Sequence, residues 1–253
     1  MTFPRIVDGL TLVGESLFGL GQNTDSLVGQ MNRLGIDISV VAANRPLAYH
    51  LPPANEALAD AVAASKDRLI GLARLDPNQP SAPVDLVRAF THLGLRGLFL
   101  HPREEVYAIT DSRVNTLFEV CTTYRRPVVV ACGYPWVSEA LQLSDVASRY
   151  PEITFVMTNG GQFNISGLGQ FDVELALDAQ PNIVIQTTGV YRQDFIERAA
   201  ARFGADRIMF ASGSPSFDPE FELLRVTEAE LILEDDRELM LGGTAAAVYG
   251  LTA

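Results

Sequence analysis

Short apolar runs alternate with amphipathic stretches from one end of the chain to the other. Runs at residues 6–13, 36–43, 69–75, 94–101, 128–132, 153–158, 183–187 and 208–211 are rich in β-branched residues and nearly continuous in apolar character. Parallel strands covered on both faces read this way. Between them the apolar period lengthens to that of helices. Thr24-Asp25-Ser26 opens a segment with Leu27, Met31 and Leu34 on one face, and Pro53 leads an Ala-rich run to Ser65. Ser81 precedes Val84, Leu86, Val87 and Phe90, while Asp111-Ser112 can cap Val114, Leu117, Phe118 and Cys121. Residues 137–150, 171–179 and 192–203 continue the rhythm, and two further helices, over 219–231 and 234–249, close the chain. Strands alternating with helices imply βαβ units and a parallel sheet. Eight units in this length predict one α/β domain over residues 1–253, a single eight-stranded (β/α)8 TIM barrel with extra C-terminal helices. No Gly-x-Gly-x-x-Gly follows the first strand, which weakens a dinucleotide-binding alternative.

Composition narrows the partners. A net charge of -12 disfavours nucleic acid, whose phosphates would be repelled. Cys121 and Cys132 are two thiols in a chain large enough not to need a staple, which suits a reducing cytoplasm. Met1-Thr2-Phe3-Pro4-Arg5 lacks the basic and apolar regions of a leader, and no apolar run reaches membrane-spanning length. The expectation is a cytoplasmic protein with no membrane contact. Lys66 is the one lysine, all other basic side chains being arginine, a bias better ascribed to genome composition than to chemistry.

Several segments carry a resemblance. Val7-Asp8-Gly9-Leu10-Thr11-Leu12-Val13-Gly14 stands where a D-x-H-x-H strand opens the amidohydrolase-related (amidohydrolase 2) barrels. Residues 96–102 resemble that family's G-I-K-L-H-P strand end, residues 127–133 its P-V-x-x-H-x-G strand, and residues 150–161 its Y-P-x-L segment ending in H-x-G-G. Residues 204–215 resemble G-A-D-R-I-L-F-G-S-D-x-P, and residues 241–246 its L-G-G-N-A-A. The resemblance implies a metal-dependent hydrolase barrel, and it implies five ligand positions. They fall on Leu10, Leu12, Ala131, Asn159 and Gly213, none of which supplies a nitrogen, thiolate or carboxylate ligand. The expectation is therefore that every metal ligand is replaced, with no metal and no cofactor.

Chemistry would collect at the C-terminal mouth, where strand ends and the following loops converge. Candidates there include Asn44, Arg45, Asp76, Arg103, Glu104, Thr187, Thr188 and Ser214. His101, Asp8 and Tyr134 are the candidate catalytic residues, and Asn159, Cys132, Gln162, Trp136 and Ser212 the candidate ligand contacts. His101, Cys132, Tyr134 and Asn159 follow three successive strands, so a histidine could activate a thiolate or share acid–base work with a tyrosine. Each has a plainer reading. Cys132 can be a small core residue, Asp76 a turn residue before Pro77, Arg103 and Glu104 a solvated rim, and Asn159 a backbone hydrogen-bonder. His92 belongs on the barrel's outside, and His50 lies in a mouth-side loop. Ser212-Gly213-Ser214 lacks the form of a nucleophile elbow. Asp8, on the inner wall, must pair with a donor or hold a proton.

Three functions follow in order of expectation. The first is a metal-free, degenerate barrel, a pseudoenzyme, binding a small molecule or a partner protein such as a homologous chain. The second is a repurposed metal-independent enzyme of lyase, isomerase or cyclase type. A conventional metal-dependent amidohydrolase or decarboxylase is ranked last. The apolar C-terminal helix leaves a homo-oligomer open.

Overall fold

A computed structural model describes residues 6–16, 19–65, 67–162 and 167–251. The Met1–Arg5 stretch and Lys66 lie outside them. Eight parallel strands form one sheet in sequence order: β1 (Val7–Val13), β2 (Ile38–Ala43), β3 (Leu69–Arg74), β4 (Gly97–Leu100), β5 (Val128–Val130), β6 (Phe155–Met157), β7 (Ile183–Gln186) and β8 (Ile208–Met209). Backbone bonds from Gly9 N to the Phe210 oxygen (2.9 Å), from Gly213 N to the Leu10 oxygen (3.0 Å) and from Leu12 N to the Ser214 oxygen (2.8 Å) join the last strand's end to the first. The sheet thus closes as a TIM barrel.

The helices between strands are α1 (Thr24–Leu34), α2 (Leu51–Ala64), α3 (Ala82–Thr91), α4 (Pro102–Glu105), α5 (Ser112–Tyr124), α6 (Ala140–Arg149), α7 (Gly167–Ala179) and α8 (Gln193–Phe203). They are followed by α9 (Pro219–Thr227), α10 (Glu234–Glu238) and α11 (Thr244–Tyr249). Local chemistry sets several ends. The side chains of Asn23, Asp111 and Asp218 accept from Ser26, Arg113 and Phe221 amides, so orphan donors of a first turn are met. Gly35, at φ 69°, ends α1 in the left-handed region.

Alternation along the strands sorts the apolar residues into two buried sets. Leu10, Val40, Ala42, Ile70, Leu72, Phe99, Val129, Val156, Val184 and Met209 fill the barrel, closed at one end by Ala245 and Tyr249 of α11. Val41, Ala73, Leu98, Leu100, Val130, Cys132 and Met157 face outward and pack under the helices.

Strand ends are shorter than the apolar runs predict. β4 starts at Gly97 because Gly94 (φ 67°) and the Leu95 amide, bonded to the Ala89 oxygen, still belong to the exit from α3. β8 stops at Met209 because the Phe210 amide turns to the Met240 oxygen. The predicted 234–249 helix is continuous but under-wound to a π turn at Leu239–Gly243. Among the described residues no helix is long and apolar enough to cross a membrane.

Candidate active site

The inward positions of β3 run Ile70, Leu72 and then Arg74, so a guanidinium is the last side chain that strand sends into the barrel before its mouth. Arg74 is 1% exposed. Asn55 of α2 pins its backbone from both sides, accepting from the Arg74 amide (2.9 Å) and donating to its carbonyl (2.8 Å). The Ala43 carbonyl takes Nη1 at 3.1 Å.

Opposite it, β4 ends at Leu100, and His101 caps the four-residue α4, whose first helical residue is Pro102. That single turn lifts two consecutive glutamates toward Arg74. Glu105 Oε1 accepts from Nε (3.1 Å) and Nη2 (2.7 Å) and is buried, while Glu104 Oε2 takes Nη2 as well. Two carboxylates thus share one cation. Burial pushes Glu105 up to about 7, with Arg74 offsetting only part of that and Glu104 and Asp76 adding to it. Burial raises Glu104 too, but the neighbouring His101, Arg74 and Arg45 outweigh it and hold the carboxyl below its ordinary value.

His101 Nδ1 accepts the Glu104 amide at 3.2 Å, and its ring lies 5.4 Å from that of Tyr134, centroid to centroid. Desolvation lowers the imidazole to about 4, with Arg74 and Arg45 working in the same direction against Glu104, so the ring is neutral at pH 7. Desolvation likewise lifts the Tyr134 hydroxyl to about 12. Arg45 stacks on Tyr49 at 4.2 Å. Its buried Nε has no hydrogen-bond partner among the described residues. Tyr49 in turn donates to Asp76 at 3.1 Å. Asp76 is also the turn residue expected, accepting the Asn78 amide at 2.9 Å.

The other sequence candidates lie apart from this group. Asp8 is fully buried in the seam between β1 and β8: Oδ1 accepts from the Ser212 amide (2.8 Å) and the Leu10 amide (3.3 Å), and Oδ2 has no partner among the described residues. Burial raises it to about 6 despite those bonds. Ser212 is wholly buried there too, its hydroxyl accepting the Ser214 amide. Cys132 faces the helix layer, and burial drives its thiol well above the ordinary value, so it does not join His101. Asn159 sits at φ 55° with Oδ1 accepting from Thr158 Oγ1 at 2.7 Å, a side-chain partner and not the backbone one of its plainer reading. Gln162 is half-buried, its Nε2 without a partner among the described residues. Trp136 is 84% exposed. His92 ends α3 on the outer face, and His50 precedes α2.

Arg74, Glu105 and Tyr49 escaped the sequence reading, and Glu104 is no solvated rim, its side chain being 21% exposed and paired. One signal was available: an arginine two residues beyond Leu72 in an inward series. Among the described residues no group of three or more His, Cys, Asp or Glu is placed to hold a metal ion. Arg74 stands between Glu104 and Glu105, the two neighbouring acids of the mouth.

The amidohydrolase 2 family model, described as amidohydrolase, matches residues 31–251. No curated protein sequence matches the chain. Solved structures similar in fold include a 2,6-dihydroxybenzoate decarboxylase from Rhizobium, with 18% identity, 97% and 98% of the two chains covered and a TM-score of 0.79. A dihydroxybenzoic acid decarboxylase from Polaromonas, holding manganese and 2-nitroresorcinol, aligns at 18% identity over 99% and 98% with a TM-score of 0.77. An amidohydrolase from Burkholderia multivorans with bound zinc aligns at 14% identity over 98% and 99% with a TM-score of 0.79. These findings correct the expectation of a pseudoenzyme. The matching family model is that of an enzyme, and the similar barrels are decarboxylases and a metal-bound amidohydrolase, the class ranked last from sequence.

Proposed function

From its place in the amidohydrolase 2 family, to which the chain belongs, we propose that this protein is an enzyme. It cleaves a small carboxylic acid at the mouth of the barrel, by the decarboxylation for which similar barrels are named. The observation that carries the reading is Arg45: a guanidinium stacked on Tyr49, its Nε buried and unbonded, whose charge acts on His101 and Glu104. A buried donor without an acceptor favours an incoming anion, and a guanidinium fork matches a carboxylate. Beside it, His101 supplies a neutral imidazole and Tyr134 an un-ionised hydroxyl, both suited to donate hydrogen bonds to substrate oxygens.

The manganese and zinc of similar barrels are the point at which this chain's residues do not follow. Leu10 packs in the barrel interior, Ala131 is buried in the same core, Asn159 is committed to Thr158, and Gly213 has no side chain. Hydrocarbon and a neutral amide do not fit a divalent ion. On this reading the ligand positions of the family are replaced, and binding and proton handling fall to the chain's own side chains.

The test is carbon dioxide release from a panel of hydroxylated benzoates and small aliphatic acids, with metal analysis of the same protein. Turnover of one acid, and a roughly tenfold or greater rise in KM for Arg45→Ala from the loss of a charge-assisted bond, is the expected result. No binding or turnover of any acid would overturn the function, and a stoichiometric bound ion would overturn the replaced ligands.

A further inference from the structure

At the mouth, two carboxylate oxygens accept no hydrogen bond from a described residue: Glu105 Oε2, which is buried, and Glu104 Oε1, whose side chain is part-exposed. Glu104 carries Oε2 against Arg74, while Oε1 accepts no hydrogen bond from any described residue and lies 3.6 Å from His101 Nε2. The two residues are also tied through the backbone, since the Glu104 amide donates to His101 Nδ1. That bond requires a bare Nδ1 and so puts the proton of a neutral ring on Nε2. Arg74 is itself immobilised by Asn55, Ala43 and the buried Glu105, so the carboxylate it holds is fixed rather than free to swing. Of the two glutamates on that cation, Glu105 is wholly buried and Glu104 keeps 21% of its side chain exposed.

We propose that Glu104, and not His101, is the proton acceptor of this site, with His101 as a neutral Nε2–H donor beside it and Arg74–Glu105 as the positioning pair. This rests on the proposed acid-cleaving function. Arg74 and Arg45 favour its ionised form from β3 and the loop after β2, and Glu105 is the one acid that opposes them through the shared guanidinium. Tyr134 touches the imidazole and stays un-ionised. A proton taken from substrate would form an O–H bond on Oε1, leaving the electron pair on substrate and the site's net charge one unit less negative. Return of the same proton to carbon after loss of carbon dioxide balances the step, with no other reactant. His101 has no free nitrogen for that proton, since Nδ1 already accepts the Glu104 amide and Nε2 carries the ring's own hydrogen.

The test uses the full-length protein labelled with 15N-histidine and 13C-carboxyl glutamate. Long-range 1H–15N correlations for His101, assigned with His101→Gln, are expected to show a proton on Nε2 and none on Nδ1 from pH 5.5 to 9. The carboxyl signal removed by Glu104→Gln should be that of an ionised group throughout. A proton on Nδ1, an imidazolium at pH 7, or a protonated Glu104 would overturn the proposal, whether or not a substrate has been found. With an acid that is turned over, Glu104→Gln, which keeps an oxygen for Arg74, should lower kcat 100-fold or more with KM changed less than threefold. It should also abolish the acid limb of the pH–rate profile, and Glu104→Asp should restore part of the rate. A kcat within threefold of wild type would overturn it. Failure to find any acid substrate, with the expected spectra, counts against the function alone.

Discussion

Two buried acids solve the same problem in opposite ways. In the seam between β1 and β8, Asp8 is held by two backbone amides with no cation near it. At the mouth between β3 and β4, Glu105 is held by a guanidinium that it shares with Glu104. Both are pushed up in pKa, so neither set of partners fully replaces water. What differs is what removal of a partner leaves behind. The seam loses a pair of directional bonds that fix where β8 meets β1. The mouth loses the cation that both glutamates share. The seam is an architectural clasp, and the mouth is a cluster of coupled charges.

The sharpest way to break the contrast is Arg74→Met. It strands Glu105 without a cation in a site closed to solvent, for which the loss is about 3–5 kcal/mol. Urea unfolding should show that loss at pH 8 and a smaller one at pH 5.5, where Glu105 can take up a proton. An equal loss at both pH values would mean that packing of the guanidinium, not its charge, is what matters.

Asp8→Asn should act in the other direction. Asp8 titrates near 6 in the folded barrel against 3.8 unfolded, so the folded chain holds a proton that the unfolded chain releases. Stability therefore falls as pH rises from about 4 to about 6, and the deficit persists above that. With roughly 1.4 kcal/mol per pKa unit, removing the charge while keeping one oxygen for Ser212 and Leu10 should raise stability by about 2–3 kcal/mol at pH 8 and by little at pH 4. The difference between wild type and variant isolates Asp8 from His101 and Glu105, which titrate in neighbouring windows.

A smaller effect belongs to the seam's geometry. A Cβ on Gly9 would sit 2.4 Å from Met209 Sδ and 2.8 Å from the Phe210 carbonyl, and the latter is backbone that cannot step aside. Gly9→Ala should cost about 1–3 kcal/mol, with hydrogen exchange rising at the β1 and β8 amides more than at Arg74.

This asymmetry also explains what the sequence disclosed. The barrel was legible because eight apolar runs and their helical spacers are each local, and most strands appear at the residues expected, if trimmed. Asp8 was correctly placed as a group needing a donor, but the Ser212 amide lies 204 residues away, and no spacing reveals it. The mouth was half legible. His101 and Tyr134 were found as strand-end residues. Arg74 and Glu105 were missed and Glu104 was given a solvated rim as its plainer reading, because α4 is one turn long and carries no period. Pairing across β3 and β4 is a property of barrel closure, which a linear pattern does not encode.

The finest cut is Tyr49→Phe, on the mouth side of the comparison. The Tyr49 hydroxyl donates to Asp76, while the ring carries Arg45 on its face. Phenylalanine removes the first and keeps the second. Asp76 retains the Asn78 amide and side chain as donors, so the lost bond should cost about 1 kcal/mol rather than the full price of a stranded acid. Because the cation–π contact persists, Arg45 should stay in place, and affinity for an acid ligand should move less than threefold. Tyr49→Ala removes both and should weaken that affinity further with little added change in the Asp76 turn. If the Phe variant alone abolishes acid binding, then Arg45 is held through Asp76 and not by stacking, and the mouth is as dependent on directional bonds as the seam.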